Sequence, residues 1–393
     1  MRRVAIVGAK RTPIGKFLGG FTWMPAVDLG VAATKAALKH AGVEPEQVQF
    51  LIFGNARQAG NRPNPARQIA HKTGCRNETI AYTVNFTCGS GMLSIVHAAW
   101  HIERGDCDIA VAGGTENMTR TPFILDRLRM GYRLGNAEVL DGQYWDGLLC
   151  PLSNMRMGET AEKLAEMYKI SREEQDAYAL ESQRRWKAAQ DAGKWADEVV
   201  PVETSDAKGR AVVVEVDEHP RPNTTLEKLA KLKPVFKEGG TVTAGNACGV
   251  CDGAAAVVLA AEDVLHKLNL KPLAFVESYG FGGVDPSIMG IGPVYATRNL
   301  LEKTGSKLED FEIVELNEAF AAQVLACCKE LPFDLKRTNV NGGAIAMGHP
   351  IGCTGCRIVV TLLYEMLRRN AKRGLATLCQ SGGYGSALSL IRQ

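Results

Sequence analysis

The 393-residue sequence predicts an α/β protein with two similar halves and an insertion between them. Short apolar runs typical of strands alternate with helix-like stretches over residues 1–120, and the scheme returns from about residue 270 to residue 393. Between these regions the composition becomes polar and helical. Such alternation is typical of parallel strands with helices on both faces of the sheet.

The first half begins with an apolar strand at residues 4–7, followed by an amphipathic helix over residues 28–40 that ends near Gly42. A helix-like run covers residues 92–102. Three further short apolar runs are predicted to be strands: residues 50–53, 80–84 and 109–112.

The second half repeats the scheme with a strand at residues 272–280, a helix near residues 294–303 and a strand at residues 311–315. A helix is predicted to start at Glu318. The remaining predicted elements are a helix over residues 358–366 and a strand over residues 376–378.

In the polar middle region, a long helix is predicted to begin at a capping box formed by Ser171 and Glu174. That helix is expected to end at Gly193. Residues 217–222 are predicted to form a loop, and residues 225–232 a short helix. We therefore divide the chain into an N-terminal half (residues 1–120 plus 250–270), an inserted domain (121–249) and a C-terminal half (271–393).

Composition excludes several classes of protein. A net charge of +3 is too balanced to predict a nucleic-acid partner. The longest apolar runs, about ten residues, are too short to cross a bilayer, so no membrane partner is expected. The first strand follows Met1 almost at once, which leaves no room for a signal peptide. Eleven cysteines in such a chain predict reduced thiols and a cytoplasmic protein.

Cys88 is the most informative residue. It lies between a strand-like and a helix-like run, with Gly89, Ser90 and Gly91 directly after it. A thiol at a helix N-terminus meets unpaired N–H groups and the helix dipole, which favour the thiolate. The small neighbours leave room for a substrate carbonyl. The segment alone fits two interpretations, a nucleophile or a buried structural cysteine.

Two later segments have the same character. His349 follows a glycine-rich turn before a helix, and Cys379 follows a strand. A nucleophilic cysteine needs a base, usually an imidazole, and carbon–carbon bond formation needs a second base. His349 and Cys379 fit these roles if the fold brings them to Cys88. Taken singly, each is equally a structural residue.

Two Cys-x-x-Cys pairs have the internal spacing of zinc ligands: Cys248 with Cys251, and Cys353 with Cys356. The distance between the pairs is far beyond that of a zinc ribbon. We therefore predict no metal site.

Nine short segments carry a family resemblance: residues 11–17, 85–92, 112–118, 157–162, 243–246, 252–255, 317–321, 342–355 and 379–385. With these motifs in order over nearly its whole length, the chain resembles the thiolases, which are acyl-CoA C-acyltransferases. The resemblance implies two βαβαβαββ halves packed as a five-layer αβαβα sandwich, with the central helices shared. It also implies that the inserted domain binds coenzyme A.

The resemblance assigns roles to residues by position. It implies that Cys88 becomes acylated, that His349 activates it, and that Cys379 removes the α-proton of the second acyl-CoA. One oxyanion hole would be His349 with a water held by Asn317. The other would be the backbone N–H groups of Cys88 and Ser381. The implied activity is reversible, ping-pong condensation of two acyl-CoA molecules or thiolysis of a 3-ketoacyl-CoA.

Coenzyme A enters as a substrate, so no separate cofactor is expected. Arg221 matches the family's contact to the adenine and phosphates. Met157, Cys248, Ala319 and Phe320 match positions that line the pantetheine and acyl pocket. Thiolases are dimers or dimers of dimers, so the resemblance implies a homodimer or homotetramer.

Three residues depart from the family pattern. Ser381 stands where glycine is usual, and serine tolerates a positive φ poorly, so the loop must avoid that region or be strained. Arg156 replaces a histidine beside the pantetheine. Cys248 replaces a serine, and its S–H is a poorer donor.

A non-catalytic thiolase-like protein that binds acyl-CoA or scaffolds a complex is the alternative. Ser381 argues for it. The joint presence of Cys88, Asn317, His349 and Cys379 argues against it, because a binding protein needs none of them.

Overall fold

The computed structural model describes residues 2–393. The strands of this part of the chain are β1 (Val4–Arg11), β2 (Gly15–Lys16), β3 (Phe50–Gly54), β4 (Ile80–Val84), β5 (Ile109–Asn117), β6 (Phe123–Ile124), β7 (Leu140–Asp141), β8 (Leu149–Cys150), β9 (Met155–Arg156), β10 (Val202–Ser205), β11 (Ala211–Val214), β12 (Cys251–Ala261), β13 (Ala274–Gly283), β14 (Ile313–Leu316), β15 (Arg373–Gln380) and β16 (Tyr384–Ile391). The α-helices are α1 (Ala26–Ala41), α2 (Pro65–Thr73), α3 (Ser90–Glu103), α4 (Met157–Met167), α5 (Arg172–Asp191), α6 (Leu226–Ala230), α7 (Gly292–Thr304), α8 (Ala321–Glu330), α9 (Ala344–Met347) and α10 (Ile351–Arg369).

The main sheet runs in the order β14-β15-β16-β13-β1-β12-β5-β3-β4, and β2 pairs with β12. Its two ends come from the two halves of the sequence, joined where β1 lies antiparallel to β13. The predicted parallel pairing holds for β3 with β4 and β5, and for β14 with β15. It is wrong for the centre, where β1, β12, β13 and β16 pair antiparallel. Those strands are not linked to their neighbours by the crossover helices that parallel pairing requires.

Five layers follow from the packing. Helices α3 and α10 contact each other in the middle, and α10 packs on strands from both halves, β5 and β12 as well as β14 and β15. Helices α1 and α2 cover the outer face of the first half. Helices α7 and α8 cover the outer face of the second. The predicted αβαβα sandwich is confirmed.

Helix ends follow their local chemistry. Helix α1 ends at Gly42, which has a φ of 69° and whose N–H donates to the last carbonyls of the helix. Helix α5 begins with the predicted capping box, in which the Ser171 hydroxyl accepts the N–H of Glu174 and the Glu174 carboxylate accepts that of Ser171. Gly193 follows the end of α5 with a φ of 69°.

Several elements were not predicted, among them α2, α4, β12 and β16. Strand β12 is buried along its whole length and is dominated by alanine, a residue that is depleted in strands. Its small side chains allow α1 and α10 to pack on opposite faces.

No helix of residues 2–393 is long and apolar enough to cross a membrane. The division of the chain at residues 120, 250 and 270 stays a prediction. β12 pairs with β1 and β5, both strands of the first half.

Candidate active site

Cys88 lies in the tight turn between β4 and α3. The hydroxyl of Ser90 accepts the N–H of Phe86 at 2.8 Å and donates to the carbonyl of Thr87 at 2.6 Å. Thr87 has a φ of 47°, a strained value for a β-branched residue. The turn therefore holds the Cys88 thiol in one position just before the first turn of α3.

His349 lies between Gly348, which has a φ of 102°, and the start of α10. Its Nδ1 lies 2.7 Å from the hydroxyl oxygen of Thr354, and that hydroxyl donates its single proton to the carbonyl of Pro350 at 2.9 Å. Both contacts are satisfied together when Nδ1 carries the proton and donates it to the Thr354 oxygen. The second ring nitrogen, Nε2, has no hydrogen-bond partner within residues 2–393 and is left as a basic lone pair.

The imidazole of His349 is neutral at physiological pH. Burial lowers its pKa to about 3, and the positive charges of Arg357 and Arg57 act in the same direction. A neutral ring with Nδ1 protonated is the form that accepts a proton at Nε2.

Cys379 lies near the end of β15, opposite Gly385 of β16, and is 1% exposed. The loop after it avoids strain at Ser381, because the positive φ angles fall on Gly382 (94°) and Gly383 (89°). Of the two outcomes expected for Ser381, the loop takes the unstrained one.

One cavity of about 720 Å³ brings these segments together. Cys88, His349 and Cys379 all border it. So do four residues predicted to contact coenzyme A: Met157, Cys248, Ala319 and Phe320. The backbone N–H of Cys248 donates to the carbonyl of Ala319 at 3.0 Å, which holds these two wall segments side by side.

Asn317 and Arg221 do not border this cavity. Asn317 follows β14 and is 1% exposed, and neither polar atom of its carboxamide has a partner within residues 2–393. Arg221 is exposed, and its backbone N–H donates to the side chain of Gln183 at 2.8 Å.

The helix N-terminus at Cys88 favours the thiolate, but burial of the site opposes it. Burial raises the pKa of the Cys88 thiol, although the backbone N–H groups of Ser381 and Cys88 and the charge of Arg57 oppose the rise. The thiol is therefore protonated at rest and needs a base. Burial also raises the pKa of Cys379 well above its usual range, and that of Cys248 to about 12.

The residues of the Cys-x-x-Cys pairs are free thiols. Cys248 borders the cavity, Cys251 is buried on β12, and Cys353 and Cys356 are buried in α10. No group of three or more histidine, cysteine or acidic residues that could hold a metal ion occurs within residues 2–393.

Sequence reasoning missed two residues at the site. Thr354 lies inside a recognised motif, and its place one turn after His349 was the available signal. Arg57 borders the cavity but had no signal, because nothing near it in the sequence marks a site. Arg156 also borders the cavity and pairs with Glu159 at 2.6 Å, beside the ring of Phe236.

Two thiols and a neutral imidazole around one cavity form the arrangement that covalent acyl transfer requires. Two family models match the chain, the N-terminal domain of thiolase over residues 4–263 and the C-terminal domain of thiolase over residues 270–392. The acetyl-CoA acetyltransferase of Chromobacterium violaceum is 51% identical over 99% of both chains. That of Pseudomonas aeruginosa is 49% identical over 100% of both.

Solved structures agree. Human mitochondrial 3-ketoacyl-CoA thiolase superposes with a TM-score of 0.97 at 46% identity, over 100% of this chain and 99% of that one. The same protein in complex with CoA gives a TM-score of 0.96 over 100% of this chain and 98% of that one. The chain belongs to the thiolase family of acyltransferases. Nothing among these relatives supports the non-catalytic alternative.

Proposed function

We propose that this enzyme condenses two acyl-CoA molecules, and cleaves 3-ketoacyl-CoA with CoA, through an acyl group carried on Cys88. The observation that carries the proposal is that Cys88, His349 and Cys379 border one cavity, with Nε2 of His349 unpartnered. The printed names of the relatives, acetyl-CoA acetyltransferase and 3-ketoacyl-CoA thiolase, support the same substrates.

In the first half-reaction, Nε2 of His349 takes the thiol proton of Cys88, and the sulfur attacks the thioester carbonyl. The bond to the CoA sulfur breaks, and Cys379 protonates the departing CoA thiolate. The acyl-enzyme then holds an imidazolium and the Cys379 thiolate, whose opposite charges compensate each other in the buried site.

In the second half-reaction, the Cys379 thiolate takes the α-proton of another acyl-CoA. The resulting carbanion attacks the acyl carbonyl, the bond to Cys88 breaks, and His349 returns the proton to that sulfur. Because burial raises the thiol pKa, the Cys379 thiolate is a strong base. The N–H groups of Cys88 and Ser381 would stabilise one oxyanion, and His349 with a water held by Asn317 the other.

Four cavity residues, Met157, Cys248, Ala319 and Phe320, would contact the acyl and pantetheine groups. The exposed side chain of Arg221 would meet the nucleotide end of CoA, where charge and stacking are both useful. No metal and no separate cofactor take part in the proposed steps. The resemblance to thiolases favours a homodimer or homotetramer.

Mass spectrometry tests the proposal. The enzyme is mixed with acetyl-CoA or acetoacetyl-CoA, and the reaction is then quenched before the mass of each cysteine peptide is measured. We expect one acetyl group on Cys88 and none after Cys88→Ala. Cys379→Ala should accept the acetyl group from acetyl-CoA more slowly, because it lacks the acid for the departing CoA, and should lose condensation. Cys328→Ala, a half-buried cysteine away from the cavity, is the matched control and should behave as wild type. Absence of an acetyl adduct on every cysteine of the wild type would overturn the proposal.

A further inference from the structure

The cavity that contains Cys88 also contains a buried cation that the steps above do not use. Arg57 lies shortly after β3 and is 6% exposed. Its backbone N–H donates to Glu116 at 3.1 Å, which fixes its main chain. Its side chain borders the cavity.

The Arg57 guanidinium lacks an acceptor. Its Nε has no hydrogen-bond partner, and no ion pair joins it to an acidic residue within residues 2–393. The Glu116 carboxylate is close enough for its charge to attract the Arg57 guanidinium. Its oxygens, however, already accept N–H groups from Asn55 at 2.6 Å, Ala56 at 3.0 Å and Gly352 at 2.9 Å. A guanidinium stays charged and cannot accept hydrogen bonds, so burial without an acceptor is costly.

A glycine leaves the space that the Arg57 guanidinium occupies. The guanidinium packs against Gly147 in a π-helical turn, Tyr144–Leu148, and a Cβ on Gly147 would lie 2.5 Å from Cζ of Arg57. Turns of the π type are rare and frequently occur at functional sites. A side chain at position 147 would displace the guanidinium from its place in this wall of the cavity.

The position of Arg57 identifies the part of the substrate that it faces. Ala56, the residue before Arg57, packs in one cluster with Ile351 and Cys88. Glu116 accepts the backbone N–H of Arg57 and also that of Gly352, three residues after His349, so Arg57 lies at the end of the cavity where the carbonyl reacts. The phosphates of CoA lie at the opposite end of the pantetheine arm from the thioester and do not reach this region. An anion beside Arg57 must therefore belong to the acyl chain.

We propose that Arg57 binds a carboxylate at the far end of the acyl chain, so that the enzyme acts on 3-ketoacyl-CoA thioesters of dicarboxylic acids. The proposal rests on the thiolase activity proposed above. A planar guanidinium binds a carboxylate through paired hydrogen bonds, and a buried pair of this kind discriminates strongly against a methyl group.

The chemistry places the carboxylate on the correct side of the reaction. In thiolysis the Cys88 sulfur bonds to C3 of the substrate, and the C2–C3 bond breaks. The acetyl-CoA carbanion takes a proton from Cys379 and leaves. The fragment that remains on Cys88 carries the terminal carboxylate, close to Arg57, until the CoA sulfur displaces it as a carboxyacyl-CoA.

The test compares two substrates of equal chain length in CoA-dependent thiolysis: 3-ketoadipyl-CoA, which ends in a carboxylate, and 3-ketohexanoyl-CoA, which ends in a methyl group. We expect wild-type kcat/KM to favour the carboxylate by at least about tenfold. Arg57→Leu should reduce this ratio by about a hundredfold. Arg57→Lys keeps the charge but lacks the paired donors. Its ratio should fall between that of the wild type and that of Arg57→Leu.

Cys328→Ala is the control and should keep the wild-type ratio. An equal loss on both substrates in Arg57→Leu would mean that Arg57 acts on Cys88 instead, and would overturn the proposal. Wild-type preference for the methyl-ended substrate would do the same. If Arg57→Leu does not fold, the inhibition constants of succinyl-CoA and butyryl-CoA on the wild-type enzyme provide the test instead. We expect succinyl-CoA to bind more tightly than butyryl-CoA, and the reverse order would overturn the proposal. No turnover of either substrate together with no acyl-Cys88 would overturn the thiolase function itself.

Discussion

At the scale of single residues, the site keeps its reactive groups uncharged until substrate arrives. The Cys88 thiol has a raised pKa and the His349 imidazole a lowered one, both because of burial. Neither exists as an ion at rest, so the site avoids the cost of a buried ion pair. The proton moves only when the sulfur begins to bond to carbon.

The lowered pKa of His349 predicts a pH dependence of stability. The ring has a pKa of about 3 in the folded protein and about 6.5 when unfolded. Between these values the unfolded state binds more protons, so stability falls as pH falls from about 6.5 towards 3. Urea unfolding at pH 7 and pH 5 should show a loss roughly 2 kcal/mol larger in wild type than in His349→Gln. Equal losses would show that His349 does not titrate in this way.

Thr354 provides a second prediction at this scale. Thr354→Val keeps the shape but removes the oxygen that accepts Nδ1–H of His349, so the tautomer is no longer fixed. We expect kcat/KM for thiolysis to fall about tenfold, the cost of losing one buried hydrogen bond. Thr354→Ser, which keeps the oxygen, should be close to wild type. Full activity in Thr354→Val together with a loss in Thr354→Ser would show that packing of the γ-methyl group matters and the hydrogen bond does not.

At the scale of elements, two helices determine how closely the reactive groups approach. Helices α3 and α10 cross through glycines, and a Cβ on Gly91 would lie 2.7 Å from the backbone N of Cys356. Cys88 lies at the N-terminal end of α3, and His349 at that of α10. The close crossing therefore places both side chains on the same cavity.

The sequence predicted the strand, turn and helix around Cys88 because each has its own local signal, and they form β4, the turn and α3. At His349 the predicted glycine-rich turn and apolar helix are present, but the short helix α9 precedes them where a strand was expected. The sequence could not predict β12, since a buried strand of small residues lacks the usual β-branched pattern. Nor could it predict the contact between Arg57 and Gly147, which are distant in sequence and joined only by folding. Motifs within one segment are readable, whereas pairings between segments depend on the folded chain.

Gly355→Ala tests the crossing. The added Cβ would lie 3.0 Å from Cβ of Met92 and even closer to its backbone, so α3 and α10 must separate. We expect the free energy of unfolding to fall by about 1–3 kcal/mol, as for other overpacked cores, with a loss of kcat. Gly283→Ala is the control, because nothing lies within 4 Å of the Cβ it would add. Full activity with a lowered free energy of unfolding would show that the helix crossing does not determine the geometry of the site.

At the scale of the whole molecule, a buried ion cluster ties the predicted inserted domain to the first strand. Arg11 at the end of β1 donates to Glu198 at 2.5 Å and to Asp217 at 2.7 Å, and all three side chains are buried. Asp217 also accepts the N–H of Ile14 at 2.8 Å. The sequence placed Asp217 in a loop but gave no sign that its carboxylate is buried against β1.

Removal of the cation from this cluster should loosen the inserted domain. Arg11→Met leaves two buried carboxylates without their partner, which typically costs about 3–5 kcal/mol. Urea unfolding should show that loss, and the fluorescence of Trp186 and Trp195 should shift, because they contact Asp217 and Arg11. The exposed Arg210, paired with Asp206 across a surface turn, is the control, and Arg210→Met should cost far less. Equal losses of stability in Arg11→Met and Arg210→Met would show that burial of the cluster does not increase its contribution to the free energy of unfolding. Unchanged fluorescence with lowered stability would show that the inserted domain stays docked without it.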